Sequence, residues 1–285
     1  MSHVKQKFFD YLLLMRLHKP IGIWLLLWPT LWGLWFAAQG VPPAKVLVVF
    51  VLGTVLMRSA GCVVNDLADR QFDPHVARTR DRPIATGRVT AAEAVRLFVV
   101  LCLMAFGLVT QLNMTTVLLS VPGVALAVSY PFAKRWHALP QAHLGLAFSW
   151  GIPMAFTALG QAVPWTLCGL LMLATVLWAI AYDTFYAMVD REDDLRIGVK
   201  SSAILFGRYD RLVTALLQAA TLATLALAGP GPGGWYGAGL LLAAALAAYQ
   251  QWLIRRREPA QCLKAFLNNT WFGAAVFAGL VLALA

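Results

Sequence analysis

Charge is what this sequence has least of. Only 13% of its 285 residues are Asp, Glu, Lys or Arg, while 60% are apolar; soluble domains carry about 25% charged residues. So little charge cannot coat a water-facing surface of this size, and lipid is the solvent the composition implies. Negative charge is scarcest, with 13 Asp and Glu against 23 Lys and Arg, a formal net charge of +10. That surplus argues against nucleic acid as a partner, because the basic residues lie in short segments between apolar runs instead of along one soluble face. Anchoring at an anionic membrane surface fits the pattern. Cysteine is sparse too. Cys62, Cys102, Cys168 and Cys262 are far apart, form no C-x-x-C pair and sit in or beside apolar stretches. They read as small buried hydrophobes, not as disulfides or metal ligands. A cleavable signal peptide is not expected either, since the first long apolar run is followed by further runs and not by a cleavage site and a soluble domain.

What the chain does have is apolar length. Crossing the hydrocarbon core takes about 20 residues, and nine segments qualify: 21–38, 46–64, 92–110, 114–130, 142–160, 165–182, 212–228, 236–253 and 265–284. Period-2 alternation, the mark of a membrane barrel, is absent, so the spans are expected to be helices. With the N-terminus placed in the cytoplasm, twenty Lys and Arg fall on the cytoplasmic side and only Lys45 in the opposite loops. This asymmetry orients the protein: N-terminus inside, C-terminus outside. The opposite-side connections are short, as from Gly229 to Gly234, whereas the 2–3 and 6–7 loops are long and carry most of the charge. Long loops in compact folds are often functional. The fold class expected is therefore all-α integral membrane, a single domain over 1–285, with nine transmembrane helices in a bundle. A cytoplasmic cap comes from the 2–3 and 6–7 loops.

The scarce acids are not spread evenly. Nine of the 13 fall in two groups: Asp66, Asp69, Asp73 and Asp81; and Asp183, Asp190, Glu192, Asp193 and Asp194. Each group begins at the cytoplasmic end of an apolar helix, where ionisable side chains are costly and mark function by default. At about 100° per residue, with Asn65 at zero, Arg58 falls near 20°, Asp69 near 40°, Asp73 near 80° and Asp66 near 100°. One face thus carries three carboxylates, an amide and a guanidinium, until Pro74 discourages further helix. In the second group Asp183, Asp190 and Asp194 share an arc of about 40°, with Glu192 on the opposite, solvated side. Carboxylates crowded on one face repel unless a positive charge sits between them. Ligands that are all oxygen, without His or Cys, suit hard cations such as Mg²⁺, which is commonly held by one or two carboxylates together with substrate phosphates. Two acidic helices with nearby Lys and Arg therefore describe a diphosphate clamp, or else an ion-pair network that joins the loops.

Asn65-Asp66-Leu67-Ala68-Asp69-Arg70-Gln71-Phe72-Asp73 reads N-D-x-x-D-x-x-x-D, and Asp183 to Asp194 reads D-x-x-Y-A-M-x-D-x-x-D-D. These resemble the two signatures of the UbiA superfamily of intramembrane prenyltransferases, the second in the wording of its hydroxybenzoate branch. Arg78-Thr79-Arg80-Asp81-Arg82-Pro83, Tyr130-Pro131-Phe132-Ala133-Lys134-Arg135, Gly198-Val199-Lys200-Ser201-Ser202 and the opening stretch Arg16 to Trp32 look like that branch as well. The resemblance covers nearly the whole chain, and it implies that the nine transmembrane helices surround a central cavity.

It implies Mg²⁺-dependent transfer of a polyprenyl group from polyprenyl diphosphate to the ring carbon ortho to the hydroxyl of 4-hydroxybenzoate. Diphosphate is released, and the step belongs to ubiquinone formation in a bacterial inner membrane. On this reading Asn65, Asp69 and Asp73 face Asp190 and Asp194 across two Mg²⁺ ions, with Asp66 at the edge of the arc either as a further ligand or to position a basic neighbour. Asp183, two turns deeper, orients the acceptor, pairs with a Lys or helps take the ring proton. Arg78, Arg82, Lys134 and Lys200 are candidates for the remaining diphosphate oxygens. Arg58 either balances the carboxylates or binds the acceptor carboxylate, and Tyr186 offers a ring face to the developing cation. The Arg255–Arg257 run reads as anchor alone. The expected partners are the two substrates and the bilayer, with no nucleic acid and no obligate protein partner evident. Other aromatic acceptors (a naphthoate, homogentisate, a haem or chlorophyll precursor) stay open. A secondary transporter fits less well, since its carboxylates would sit near the midplane.

Overall fold

The computed structural model describes residues 3–71, 73–75, 79–136, 139–198, 200–231 and 234–285, and these form helices without strands. A short α1 (His3–Leu14) precedes α2 (Ile21–Ala38), α3 (Ala44–Ala68), α4 (Ala91–Val109) and α5 (Met114–Trp136). Then come α6 (Pro140–Ser149), α7 (Gly151–Ala158), α8 (Trp165–Ile197), α9 (Ser202–Phe206), α10 (Asp210–Ala228), α11 (Gly234–Leu253) and α12 (Pro259–Ala283). Eight stretches among the described residues are long and apolar enough to cross a bilayer. This is a multi-pass membrane protein.

The segment 142–160, read from sequence as one span, is instead two helices of 10 and 8 residues broken at Trp150. Pro153 has no N–H to give the carbonyl of Ser149, so the ladder loses a rung just after the break. The two pieces still lie as one rod along α5. His143 Nε2 meets Ser129 Oγ at 2.9 Å, Trp150 Nε1 donates to Leu119 O at 2.7 Å, and Asn113 Nδ2 donates to Thr157 O. Pairings that run 143–129, 150–119, 157–113 make α6 and α7 antiparallel to α5.

The bundle is organised around α2. Two thirds of its apolar window is buried, against 17% for α4 and α5, so those two form the lipid-facing wall. Trp32 of α2, fully buried, packs on Trp178 of α8 at 5.5 Å between ring centroids, and Trp178 stacks on Phe272 of α12 at 5.4 Å. Where helices approach most closely the residues are small. A Cβ at Gly239 of α11 would stand 2.7 Å from Ala275 O of α12, the kind of contact that replaces a hydrophobic drive between helices in lipid.

Four acids fall outside the two sequence groups, and three of them fasten segments together. Asp10 takes Arg88 Nη1 at 2.8 Å and Glu93 takes Lys7 Nζ at 2.8 Å, binding α1 to the start of α4. Glu93 also closes a capping box with Thr90 at the head of α4. Asp210, fully buried, accepts from Arg191 of α8 and from Nε and Nη2 of Arg257 at 2.8–3.1 Å. Arg257 is thus a structural clasp, where the sequence alone reads it as an anchor.

Candidate active site

The first acidic group sits where α3 ends. Asn65 and Asp66 occupy its last turn, and Asp69 caps it, its N–H still donating to Asn65 O. Asp73 is not on the helix as a straight extrapolation would have it. The chain turns at Asp69 and enters a single 3₁₀ turn, Asp73–His75, whose second residue is Pro74. One backbone hydrogen bond, Asp73 N to Asp69 O at 2.9 Å, nevertheless holds Asp73 about one turn beyond Asp69. Thr79 Oγ1 donates to Asp73 O at 2.8 Å and secures the turn from the other side.

Asp66, Asp69 and Asp73 are all buried, at 1%, 5% and 5% exposure. Arg82 Nη1 lies between two of them, 3.0 Å from Asp66 Oδ1 and 2.9 and 3.1 Å from the Asp73 oxygens. Arg16 Nη2 takes the same Asp66 oxygen. Burial pushes the Asp73 carboxyl above its usual range against the pull of Arg82, and the neighbouring Asp66 and Asp69 push the same way. Arg16 is held in the left-handed region, φ 55°, a backbone cost that a side-chain anchor of this kind offsets. Sequence reading counted Arg16 only as an inside charge. It stands 50 residues from Asp66, so no spacing rule could pair them.

The second group rides on one unbroken helix. α8 runs about four turns past the apolar span to Gly198, a left-handed cap with φ 70°, so the angular offsets read from sequence apply. Asp183, Tyr186, Asp190 and Asp194 are partly buried, while the Glu192 side chain is 89% exposed. Tyr186 lies 4.8 Å from Phe266 between ring centroids.

Two side chains reach both groups. Arg16 lies within electrostatic range of Asp66 and Asp73 and of Tyr186 on α8. Tyr130 of α5 lies within range of Asp183 as well as of Asp69, Arg58 and Arg16. Arg58 donates Nη1 to Cys62 Sγ at 2.9 Å, rests against Gly22 of α2, and leaves its buried Nε without a hydrogen-bond partner among the described residues. Below these groups opens a cavity of about 210 Å³ between α2, α3, α4, α5, α6 and α7. Arg58 and Tyr130 stand at its polar end, and Val49, Phe50, Val109 and Leu112 line its far end. Lys200 is exposed just past α8. Arg78 and the side chain of Lys134 lie outside the described residues. Among the described residues no three carboxylate, His or Cys ligands converge on one point. Asp66 and Asp73 are paired with the guanidinium groups of Arg16 and Arg82.

Acids and arginines beside an apolar cavity in a helical membrane protein are the features that a molecule part anion and part lipid would need. The chain matches the model of the UbiA prenyltransferase family over residues 26–282 and belongs to that family; it is an enzyme of prenyl transfer. It is 61% identical to the 4-hydroxybenzoate octaprenyltransferase of Methylococcus capsulatus, covering 97% of this chain and 95% of that one. It is 60% identical to the protein of the same name from Nitrosococcus oceani, covering 98% of both. Among solved structures it resembles the apo UbiA homolog from Aeropyrum pernix, with TM-score 0.80, 25% identity and 93% and 98% of the two chains covered. The fold is shared with the UbiA homolog from Archaeoglobus fulgidus bound to GPP and Mg²⁺, at TM-score 0.68, 18% identity and 95% and 99% coverage.

Proposed function

We propose that the protein transfers a polyprenyl group from its diphosphate to the carbon ortho to the hydroxyl of 4-hydroxybenzoate, as a step toward ubiquinone. The observation that carries this reading is the junction itself: buried carboxylates and guanidinium groups stand over the polar end of an apolar cavity. The near-full-length likeness to two 4-hydroxybenzoate octaprenyltransferases supports the choice of acceptor.

The donor set fits Mg²⁺. Every candidate ligand is a hard oxygen, and burial with like-charge neighbours leaves Asp73 short of positive charge. Mg²⁺ is commonly held by one or two carboxylates together with substrate phosphates, so a diphosphate would complete its shell. Asn65, Asp66, Asp69, Asp73, Asp190 and Asp194 would hold it. When bound, it would neutralise charge on the departing diphosphate. Arg82, Arg78, Lys134 and Lys200 take the remaining diphosphate oxygens.

Arg58 binds the acceptor carboxylate, for which its buried Nε is open. The C–O bond between the prenyl C1 and diphosphate breaks, the ring carbon ortho to the hydroxyl bonds to C1, and the ring loses its proton there. Tyr186 offers a ring face to the cationic carbon, and the apolar walls exclude water that would otherwise capture it. Asp183 positions the acceptor or receives the proton.

In this arrangement α6 and α7 together make a ninth crossing, the N-terminus and the site lie in the cytoplasm, and the 2–3 and 6–7 loops cap the cavity in a bacterial inner membrane. The test is purified protein with a polyprenyl diphosphate, 4-hydroxybenzoate and Mg²⁺, against an EDTA control. A metal-dependent 3-polyprenyl product is expected. Diphosphate release without that product would overturn the acceptor assignment.

A further inference from the structure

Gln141 begins α6, directly after Pro140, and is 4% exposed. Its side-chain oxygen Oε1 is buried with no hydrogen-bond partner among the described residues. A buried acceptor with no donor is disfavoured, and in a native protein such a group calls for a specific explanation. A bound ligand that brings the donor is one.

Register locates the group. The α5 pairings at 143–129, 150–119 and 157–113 place Gln141 level with Pro131 and Phe132, just past Tyr130. On its other side α6 packs so tightly on α8 that a Cβ at Gly145 would stand 2.6 Å from Val176 Cα and 3.0 Å from Ala179 Cβ. Gln141 lies one turn before Gly145 on the same face. The returning α8 presents Asp183 there, four residues after Ala179 and seven after Val176. Tyr130 and Tyr182 each lie within electrostatic range of both Asp183 and Arg58. Leu144, one turn on from Gln141, lines the cavity together with Arg58 and Tyr130. By register the unsatisfied oxygen therefore belongs beside the polar end of the cavity, one turn from the lining residue Leu144 and toward α8.

We infer that Gln141 is an acceptor-binding residue, its side-chain oxygen receiving a hydrogen bond from the phenol hydroxyl of the aromatic acceptor. The inference rests on the reading above. Oε1 can only accept, and at neutral pH a hydroxybenzoate carries one group that donates, its hydroxyl. With the carboxylate on Arg58, a hydroxyl held by Gln141 fixes which ring carbon meets the donor. As the ring attacks, electron density leaves the hydroxyl oxygen and its O–H becomes a stronger donor, so this bond tightens in the transition state.

The experiment compares wild type with Gln141→Leu in lipid nanodiscs, using geranyl diphosphate and Mg²⁺. It measures KM for 4-hydroxybenzoate and for the donor, the inhibition constant of benzoate (the same ring without the hydroxyl), and the melting midpoint. For Gln141→Leu the expected result is an acceptor KM raised about tenfold or more, with lower kcat. Donor KM and benzoate inhibition stay unchanged, and the midpoint is equal or higher because an unsatisfied polar group has gone. An unchanged acceptor KM overturns the inference. So does parallel weakening of benzoate and donor with a lowered midpoint, which is the mark of a structural role. Wild-type protein that ignores 4-hydroxybenzoate would overturn the proposed function itself, and the assignment of Gln141 with it.

Discussion

Single acids differ here by what surrounds them, not by their number. Asp10, Glu93 and Asp210 each meet a cation supplied by another segment and fasten it. Asp66 and Asp73 share one guanidinium and remain crowded by Asp69. Grouping the acids by position in the chain already separated these two kinds, because crowding on one face is a property of spacing. Of the cations that answer them, Arg82 was expected at the site, though on diphosphate and not on Asp66 and Asp73, while Arg16 was not named as a site residue. Arg16 and Arg82 reach Asp66 from different segments, and a charge counted toward membrane orientation looks the same in sequence as one that enters a site. The contrast within α8 gives a direct test. Asp190→Ala should lower transfer by about 10²–10³ or more, the scale of losing a charge-stabilising group, with the protein still folded and in the membrane. Glu192→Ala, whose side chain stands 89% exposed on the other arc, should stay within about twofold, as exposed sites do. Product formation at saturating donor measures both. Near-normal turnover by Asp190→Ala would sink the model of two facing acid groups.

At the scale of elements, hydropathy located the helices well: 21–38 was expected and Ile21–Ala38 observed, and 92–110 became Ala91–Val109. It failed where a helix is decided by something other than apolar content. The break at Trp150 follows from one missing backbone donor at Pro153, which a window average does not register. The last four turns of α8 lie beyond the apolar run and persist through contacts of another kind. Glu192 and Asp193 each pair with Arg196 one turn on, and Arg191 reaches across to Asp210 and to the carbonyls of Ala203 and Gly207. That cross-link holds the acid-bearing end of α8 to α9, α10 and the start of α12. Asp210→Ala would leave Arg191 and Arg257 facing each other across the gap. Removing one partner of a buried pair costs about 3–5 kcal/mol. With these guanidinium groups a quarter to a third exposed, about 2–3 kcal/mol is expected here. Thermal unfolding in detergent measures it, and an unchanged midpoint would show that the clasp contributes nothing.

The whole molecule solves a problem of mixed solvents: a diphosphate needs charge at the membrane surface, and the chain attached to it needs lipid. The cavity answers only part of the second need. From Gly61 to Val49 along α3 it spans about 18 Å at 1.5 Å per residue, shorter than a tail of many isoprene units. Phe106 of α4 and Val124 of α5 both line the cavity and are 50% and 36% exposed. Their helices are also the least buried in the bundle. The wall between α4 and α5 is therefore where the cavity is open to the outside, and on the proposed function a tail too long for it would pass into lipid there. Short donors should end inside, and long ones should depend on that opening. Val124→Trp should leave turnover of geranyl diphosphate within about twofold, because nothing at the polar end is touched. The same change should cost about tenfold or more in kcat/KM with an octaprenyl donor, whose tail must be displaced or bent to bind. The ratio of the two rates, in one nanodisc preparation, is the measurement. If Val124→Trp lowered both donors equally, the tail would have to leave between other helices.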